Sequence, residues 1–227
     1  MSAAQSSPYN LQDQDVLGEL LHSLSQPLTT LRCSLEVTFD ESPEPQAGVG
    51  IALQQTERVI GLIQLMREFL DAGHAEPGTS RISVDRVLRD VVHDAAPVAE
   101  ARGVKLSVDG GSSATVCLAE PRLRLSLQYL AFALIDRAPA GSRVWFCLKE
   151  GSTESSLSGG VQGSPGHILA QSRSSQTNMR ETLTTVKVAI AQRVLEAAGT
   201  LLTIEPGNPP GFALRIPRML AASLAIV

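Results

Sequence analysis

The chain has 227 residues, of which 43% are hydrophobic and 4% aromatic, and its formal net charge is −4. This length suffices for one large domain or two small ones with an aliphatic core. A negative net charge without a basic stripe argues against nucleic acid as a partner. No stretch approaches the roughly 18 consecutive apolar residues of a spanning helix, so the sequence predicts no membrane partner.

Cysteine usage and the amino terminus predict a cytoplasmic location. The three cysteines are widely spaced among apolar residues and form no disulfide or metal-binding pattern: Cys33, Cys117 and Cys147. We therefore expect reduced thiols and no metal site. The first residues, MSAAQSSPYNLQDQD, have neither the charged nor the apolar region of a signal peptide.

Leucines recur at alternating spacings of four and three along the first helical segment, and we name this set the leucine stripe: Leu17, Leu21, Leu24, Leu28, Leu31 and Leu35. The pattern predicts a helix over about residues 11–38. A loop, DESPEPQAG, and a second amphipathic helix over residues 51–73 follow. The two helices predict an antiparallel hairpin, and because one hairpin cannot cover the stripe alone, a dimeric four-helix bundle.

The segment HAEPGTSR is a linker by composition, and helices then alternate with strands. An α/β sandwich with one sheet covered by helices is therefore expected. The predicted elements, in chain order, are a helix in SVDRVLRDVVHDAAPVAEARG, strands in VKLSVDG and ATVCLA, a helix in PRLRLSLQYLAFALIDRAP, a strand in SRVWFCLKEG, a weak strand and long mobile loop in STESSLSGGVQGSPGHILAQSRSSQTNMRE, a helix in TLTTVKVAIAQRVLEAAG, and a closing hairpin of TLLTIEPG and GFALRIP.

His22 is the candidate functional residue of the first helix. It lies beside the leucine stripe, and Gln26 follows one turn later on the same face. Pro27 lacks an N–H and its ring presses on the carbonyl of Ser23, so we expect a bend that exposes this turn. A lone helix histidine is more often an ordinary surface or core residue, and its neighbours favour a function here.

The segment HSLSQPLTTLRCSLE resembles the H-box of sensor histidine kinases, in which a histidine and an acid precede an Asn, Thr or Gln and then Pro-Leu. Ser23 stands where that family has its acid. The matching residues are His22, Leu24, Gln26, Pro27 and Leu28. Two later segments resemble the N-box helix region and the last helix with its closing hairpin: AEPRLRLSLQYLAFALIDRAPAGSRVWFCL and VAIAQRVLEAAGTLLTIEPGNPPGFALRIP.

The resemblance covers about residues 17–217. It implies a helical hairpin for dimerisation and phosphoacceptance over residues 11–75, then a degenerate α/β sandwich of the histidine-kinase ATPase type over residues 80–220. It is closest in character to dimeric histidine phosphotransferases that keep the kinase core without its nucleotide.

The nucleotide contacts that the resemblance implies are missing. The two N-box asparagines fall on Tyr129 and Ala133, and a methyl group cannot coordinate Mg²⁺. The adenine-reading aspartate falls on Gln162. Two phosphate-loop glycines fall on Thr185 and Lys187, whose side chains close the approach of phosphate to the backbone. We therefore expect no cofactor, with ATP and Mg²⁺ bound only if the protein is a kinase.

These losses favour a phosphotransferase or pseudokinase over an active kinase, since Ser23 also lacks the general-base function of an acid. His22 would carry a phosphoryl group exchanged with a response-regulator aspartate, with Gln26 near the partner's phosphoryl site. The expected partners are a receiver domain, a second copy of the chain and an upstream hybrid kinase. Two alternatives stay open: an ATP-dependent sensor histidine kinase core, and a non-catalytic dimer that scaffolds or inhibits a kinase or regulator.

Overall fold

The computed structural model describes five stretches of the chain: residues 11–39, 45–73, 81–163, 175–205 and 211–217. By internal contacts the chain divides into two compact units. The first comprises Met1–Leu70 with Arg173–Val186, and the second Asp71–Ser172 with Lys187–Val227. The predicted linker around residues 74–80 lies outside the described residues.

The first unit contains two long helices, α1 (Leu11–Phe39) and α2 (Pro45–Ala72) up to Leu70. The bounds predicted for α1 are confirmed. Helix α2 begins earlier than the predicted residue 51, within the segment expected to be a loop. The reason is that Pro45 suits the first turn of a helix, because the backbone N–H groups of that turn have no acceptor within the helix.

The face of α1 that is buried in the single chain is not the leucine stripe. Each buried position precedes a member of the stripe by one residue: Val16, Leu20, Ser23 and Pro27. Within the stripe, exposure reaches 58% at Leu21, 47% at Leu28 and 41% at Leu35. Helix α2 also carries exposed apolar side chains: Val49, Ile51, Leu53, Ile60, Ile63 and Leu70. The hairpin therefore leaves an apolar surface uncovered on both helices.

The second unit is built on a five-stranded sheet of order β2-β4-β5-β7-β6, in which only β2 and β4 are parallel. Its strands are β2 (Lys105–Gly110), β4 (Arg143–Lys149), β5 (Glu154–Gln162), β6 (Leu201–Glu205) and β7 (Gly211–Pro217). A second, two-stranded sheet pairs β1 (Arg81–Ser83) with β3 (Thr115–Cys117). The helices are α3 (Val84–Ala101), α4 (Glu120–Arg137) and the part of α5 (Ser175–Ala197) from Lys187 onward. The predicted helical hairpin and α/β sandwich are confirmed, with β1 and β3 in a separate small sheet, and the dimeric four-helix bundle stays a prediction.

Three elements differ from the sequence-based expectation. Strand β5, predicted to be weak, is the central strand of the sheet, because pairing with β4 and β7 overrides the poor strand propensity of its serines and glycines. Helix α5 begins at Ser175, inside the segment predicted to be a mobile loop. Strand β1 was not predicted; it is only three residues long. The remainder of that predicted loop, residues 164–174, lies outside the described residues.

The buried face of the sheet depends on a glycine between two aromatic rings. Gly159 on β5 is flanked in register by Phe146 on β4 and Phe212 on β7. A Cβ at this position would lie 2.6 Å from the Phe212 ring, so only glycine lets the two rings meet, with centroids 6.3 Å apart. The core around them is otherwise aliphatic, as the composition predicts.

Helix α3 packs beside α4, and charged pairs along both helices join them. Ser83 caps α3 by accepting a hydrogen bond from the backbone N–H of Arg86. The Arg86 guanidinium donates a hydrogen bond to the Glu120 carboxylate at 2.5 Å, and this hydrogen bond, followed by the charge of the carboxylate, raises the pKa of Arg86. Two more pairs connect the helices further along: Arg124 with Asp94, and Arg102 with Asp136.

Candidate functional site

His22 lies on the solvent-exposed side of α1, and Gln26, one turn later, is exposed as well. Residues four apart on a helix are neighbours on one face, so the two side chains share a surface. The structure therefore brings together the two residues that the sequence selected on this helix. His93 is also exposed, but it lies on α3 in the other unit. The remaining histidines, His74 and His167, lie outside the described residues.

Three hydroxyl groups follow His22 along α1, and each donates a hydrogen bond back to a carbonyl of the helix. Ser25 donates to the carbonyl of Leu21 at 3.2 Å, Thr29 to that of Ser25 at 2.8 Å, and Thr30 to that of Gln26 at 3.1 Å. Such bonds compete with the helical ladder and often bend helices. Helix α1 runs without interruption through Pro27, and the predicted bend at this turn stays a prediction.

Ser23, which stands where the resembling family has an acid, belongs to the buried face of α1 and is only 8% exposed. A charged carboxylate at a buried position without a partner would carry a large desolvation cost. A small neutral residue is therefore the physically favourable choice at this position. The sequence pattern did not reveal this burial, because Ser23 falls outside the leucine stripe.

Two positions expected to contact a nucleotide contact each other instead. Tyr129 on α4 and Lys187 on α5 are both half-buried, and the Lys187 ammonium lies 5.7 Å from the centroid of the Tyr129 ring. This separation is within the range of a cation–π interaction. Sequence reasoning missed the pair, although an aromatic ring and a lysine at two substituted positions were a signal of it.

Ala133, one turn after Tyr129, is buried and borders a cavity of about 30 Å³. The other lining residues are Leu130, Leu134, Arg137, Val188, Ile204, Gly211 and Phe212. This volume holds one or two waters, whereas sites for drug-sized ligands measure about 300–1,000 Å³. The methyl group of Ala133 thus faces a small, largely apolar cavity and offers no oxygen to a cation.

The two other substituted positions are exposed. Gln162 is the last residue of β5 and pairs with Arg143 of β4. The Thr185 hydroxyl donates to the carbonyl of Glu181 at 2.9 Å, within its own helix. Neither side chain lines the cavity beside Ala133.

Within the described stretches there is no group of three or more His, Cys, Asp or Glu side chains able to hold a metal ion. Over the same residues, no helix combines the length and the apolar character needed to cross a membrane.

No protein-family model matches the chain. Among curated proteins, the phosphate regulon sensor protein PhoR of Pseudomonas aeruginosa is 24% identical over 164 residues. The match covers 68% of this chain, which spans 37% of the length of PhoR.

Solved structures of histidine kinases share the architecture of both units. The Acinetobacter baumannii histidine kinase AdeS is similar over 88% of this chain and 98% of its own, with a TM-score of 0.65 and 16% identity. Histidine kinase ThkA, solved in complex with the response regulator TrrA, has a TM-score of 0.65 over 89% of this chain and 61% of its own, at 14% identity. Full-length ShkA in complex with AMPPNP has a TM-score of 0.58 over 84% of this chain and 46% of its own, at 15% identity.

The chain therefore has the fold of a two-component histidine kinase core, a helical hairpin followed by an ATPase-type α/β domain. The resemblance drawn from the sequence is confirmed at this level.

The burial of Ser23 predicts the outcome of restoring the acid. Ser23→Glu is expected to lower the free energy of unfolding by about 3 kcal/mol, because a carboxylate would be buried without a partner. Ser25→Glu, at an exposed position two residues on, is the matched control and should change stability by less than about 0.5 kcal/mol. Urea unfolding monitored by circular dichroism measures both values. Equal stability of the two variants would contradict the burial of position 23.

Proposed function

We propose that this protein transfers phosphoryl groups in a two-component relay, accepting and donating them on His22 without binding ATP itself. The observation that carries the proposal is the exposure of His22 beside Gln26 on a helical hairpin of the histidine-kinase fold. Its partner is the receiver domain of a response regulator, and an upstream hybrid kinase is a second candidate partner. The complex of ThkA with TrrA supports this choice, because a protein of the same fold binds a response regulator.

The chemistry requires little from the histidine protein beyond position and access. A nitrogen of the His22 imidazole attacks the phosphorus of an aspartyl phosphate, an N–P bond forms, and the P–O bond to the carboxylate breaks. The carboxylate leaves, and the ring becomes neutral again by releasing its N–H proton to water. The receiver and its own Mg²⁺ supply the electrostatic stabilisation, while α1 supplies the orientation. The Gln26 amide, one helical turn from His22 on the same exposed side, would orient an oxygen of the transferred group.

Independence from ATP is supported by the surroundings of the substituted positions. Ala133 offers no ligand to Mg²⁺, and the largely apolar pocket that it borders has a volume of about 30 Å³. The Lys187 ammonium lies over the Tyr129 ring. Two side chains at positions expected to contact a nucleotide therefore contact each other. The acid that directly follows the histidine in the resembling family is also replaced, since Ser23 is neutral and buried.

A homodimer is part of the proposal, because the uncovered apolar surface of the hairpin needs a partner. With about 100° of rotation per residue, the stripe lies roughly 90° around α1 from the buried face, and His22 roughly 130–140° from both. His22 is therefore turned away from the stripe, and the expectation that it lies beside the stripe is wrong. A second copy can therefore cover the stripe while His22 stays accessible. Burial of each leucine would contribute about 1.5–3 kcal/mol.

A cytoplasmic location also belongs to the proposal. Cys33, Cys117 and Cys147 are all unpaired thiols, and cytosolic reductants keep thiols in that state.

An ATP-dependent histidine kinase is the second candidate function. The observation that favours it is the fold shared with ShkA, which was solved with the nucleotide analogue AMPPNP. Nucleotide binding by the intact chain distinguishes the two functions.

The first prediction concerns the phosphorylated residue. Incubation with a panel of radiolabelled phospho-receiver domains should leave an acid-labile, base-stable label on the chain. His22→Asn should abolish this label, because an amide cannot form the phosphoramidate. The matched control is His93→Asn, which removes another exposed histidine and should retain the label.

The Gln26→Ala variant should slow phosphoryl transfer about 10-fold, which corresponds to about 1.4 kcal/mol in the barrier. Persistent labelling of His22→Asn would refute the assignment and favour a non-catalytic binding protein.

The second prediction concerns nucleotide affinity. Titration calorimetry of the intact chain with ATP and Mg²⁺ should give a Kd no tighter than about 1 mM, or about −4 kcal/mol. The reason is that the Mg²⁺ ligand, the adenine-reading acid and two phosphate-loop glycines are all replaced. Micromolar, Mg²⁺-dependent binding is the result that would restore the kinase function.

The third prediction concerns assembly. In light scattering, the unmodified chain should be a dimer, and the double variant Leu21→Asp/Leu28→Asp should be a monomer or unfolded. These positions are chosen because they are the most exposed of the stripe. Val98→Asp, at an exposed apolar position of α3 outside the hairpin, is the matched control and should remain dimeric. A well-folded monomer of the unmodified chain would count against the four-helix bundle.

A further inference from the structure

Helices α4 and α5 of the second unit meet through a charged and an aromatic side chain. Lys187 places its ammonium 5.7 Å from the centre of the Tyr129 ring, and both residues are half-buried. A cation over an aromatic face gains more when water is partly excluded, because solvent screens the attraction less. The methylene stem of a lysine also packs on apolar surface while its head keeps a polar contact.

The next turn of α4 continues the same contact between the helices. Ala133 and Val188 line one cavity, together with Phe212 of the sheet. At about 30 Å³ this cavity leaves space for water only. The charged pair therefore lies next to a small cavity that residues of both helices line.

We propose that the Tyr129–Lys187 pair is a clamp that holds α5 against α4 with no ligand between them. The clamp makes the packing of this unit independent of a nucleotide, and in this respect it rests on the proposed ATP-independent function. Lys187 acts through its charge, and Tyr129 acts through its ring rather than its hydroxyl.

The test measures the effect of Lys187→Met on the melting temperature of the full chain in three backgrounds. In the unmodified chain and in Tyr129→Phe, which keeps the ring, the substitution should lower the Tm by about 2–4 °C. In Tyr129→Leu, which removes the ring, the same substitution should have almost no effect. Lys187→Arg keeps a cation and should keep the Tm within about 1 °C of the unmodified chain.

Lys149→Met is the matched control, since Lys149 is an exposed lysine on β4 of the same unit. Its effect on the Tm should be the same in all three backgrounds. An equal effect of Lys187→Met in all three backgrounds would overturn the clamp. The Tyr129→Phe background keeps the test decisive should Tyr129→Leu fail to fold, because a loss of the Lys187→Met effect there would also refute a role for the ring.

A separate measurement distinguishes failure of the clamp from failure of the proposed function. A rise in Tm of the unmodified chain on adding ATP and Mg²⁺ would contradict ATP independence, whatever the three backgrounds give. An equal effect of Lys187→Met on the Tm in all three backgrounds, with no change in Tm on adding ATP, would refute the clamp and leave ATP independence intact. We expect the effect of Lys187→Met to depend on the Tyr129 ring and the Tm to be unchanged by ATP and Mg²⁺.

Discussion

The rotation of an α-helix by about 100° per residue is the constraint on which this structure depends. Helix α1 carries two apolar sets that differ by one position, and only one of them can face the interior of a single chain. Because Ser23 lies in the buried set and Leu21 in the stripe, His22 between them is turned away from both. One helix thus provides an intramolecular face, a face suited to a second copy, and an accessible imidazole.

The two units carry different features of the kinase fold, His22 in the first and the α/β domain in the second. The phosphoryl transfer proposed for His22 would need an accessible nitrogen and a partner that supplies the metal. The second unit has the sheet and helices of a kinase domain, and two of its substituted positions, Tyr129 and Lys187, contact each other. A fold can lose its ligand and remain well packed when the replacing side chains contact one another.

Periodicity and composition predicted the hairpin and the α/β domain, and the helix pattern selected His22, which the structure leaves exposed. They failed where a neighbour decides the outcome. The serines and glycines of β5 have low strand propensity, yet two flanking strands make it the centre of the sheet. The burial of Ser23 and the contact between Tyr129 and Lys187 were equally hidden, because each depends on a side chain from another helix or on the placement of two helices. Such contacts have no signature within one segment of sequence.

The hydroxyl groups around His22 have a consequence for whatever approaches this face. A hydroxyl has one proton to donate and two lone pairs to accept with. Ser25, Thr29 and Thr30 each use that proton on a carbonyl of their own helix. What these three hydroxyls offer outward is oxygen lone pairs, which can accept hydrogen bonds from N–H or O–H groups of a partner. Hydrogen bonds to the backbone of α1 thus leave these three hydroxyls as acceptors toward a partner.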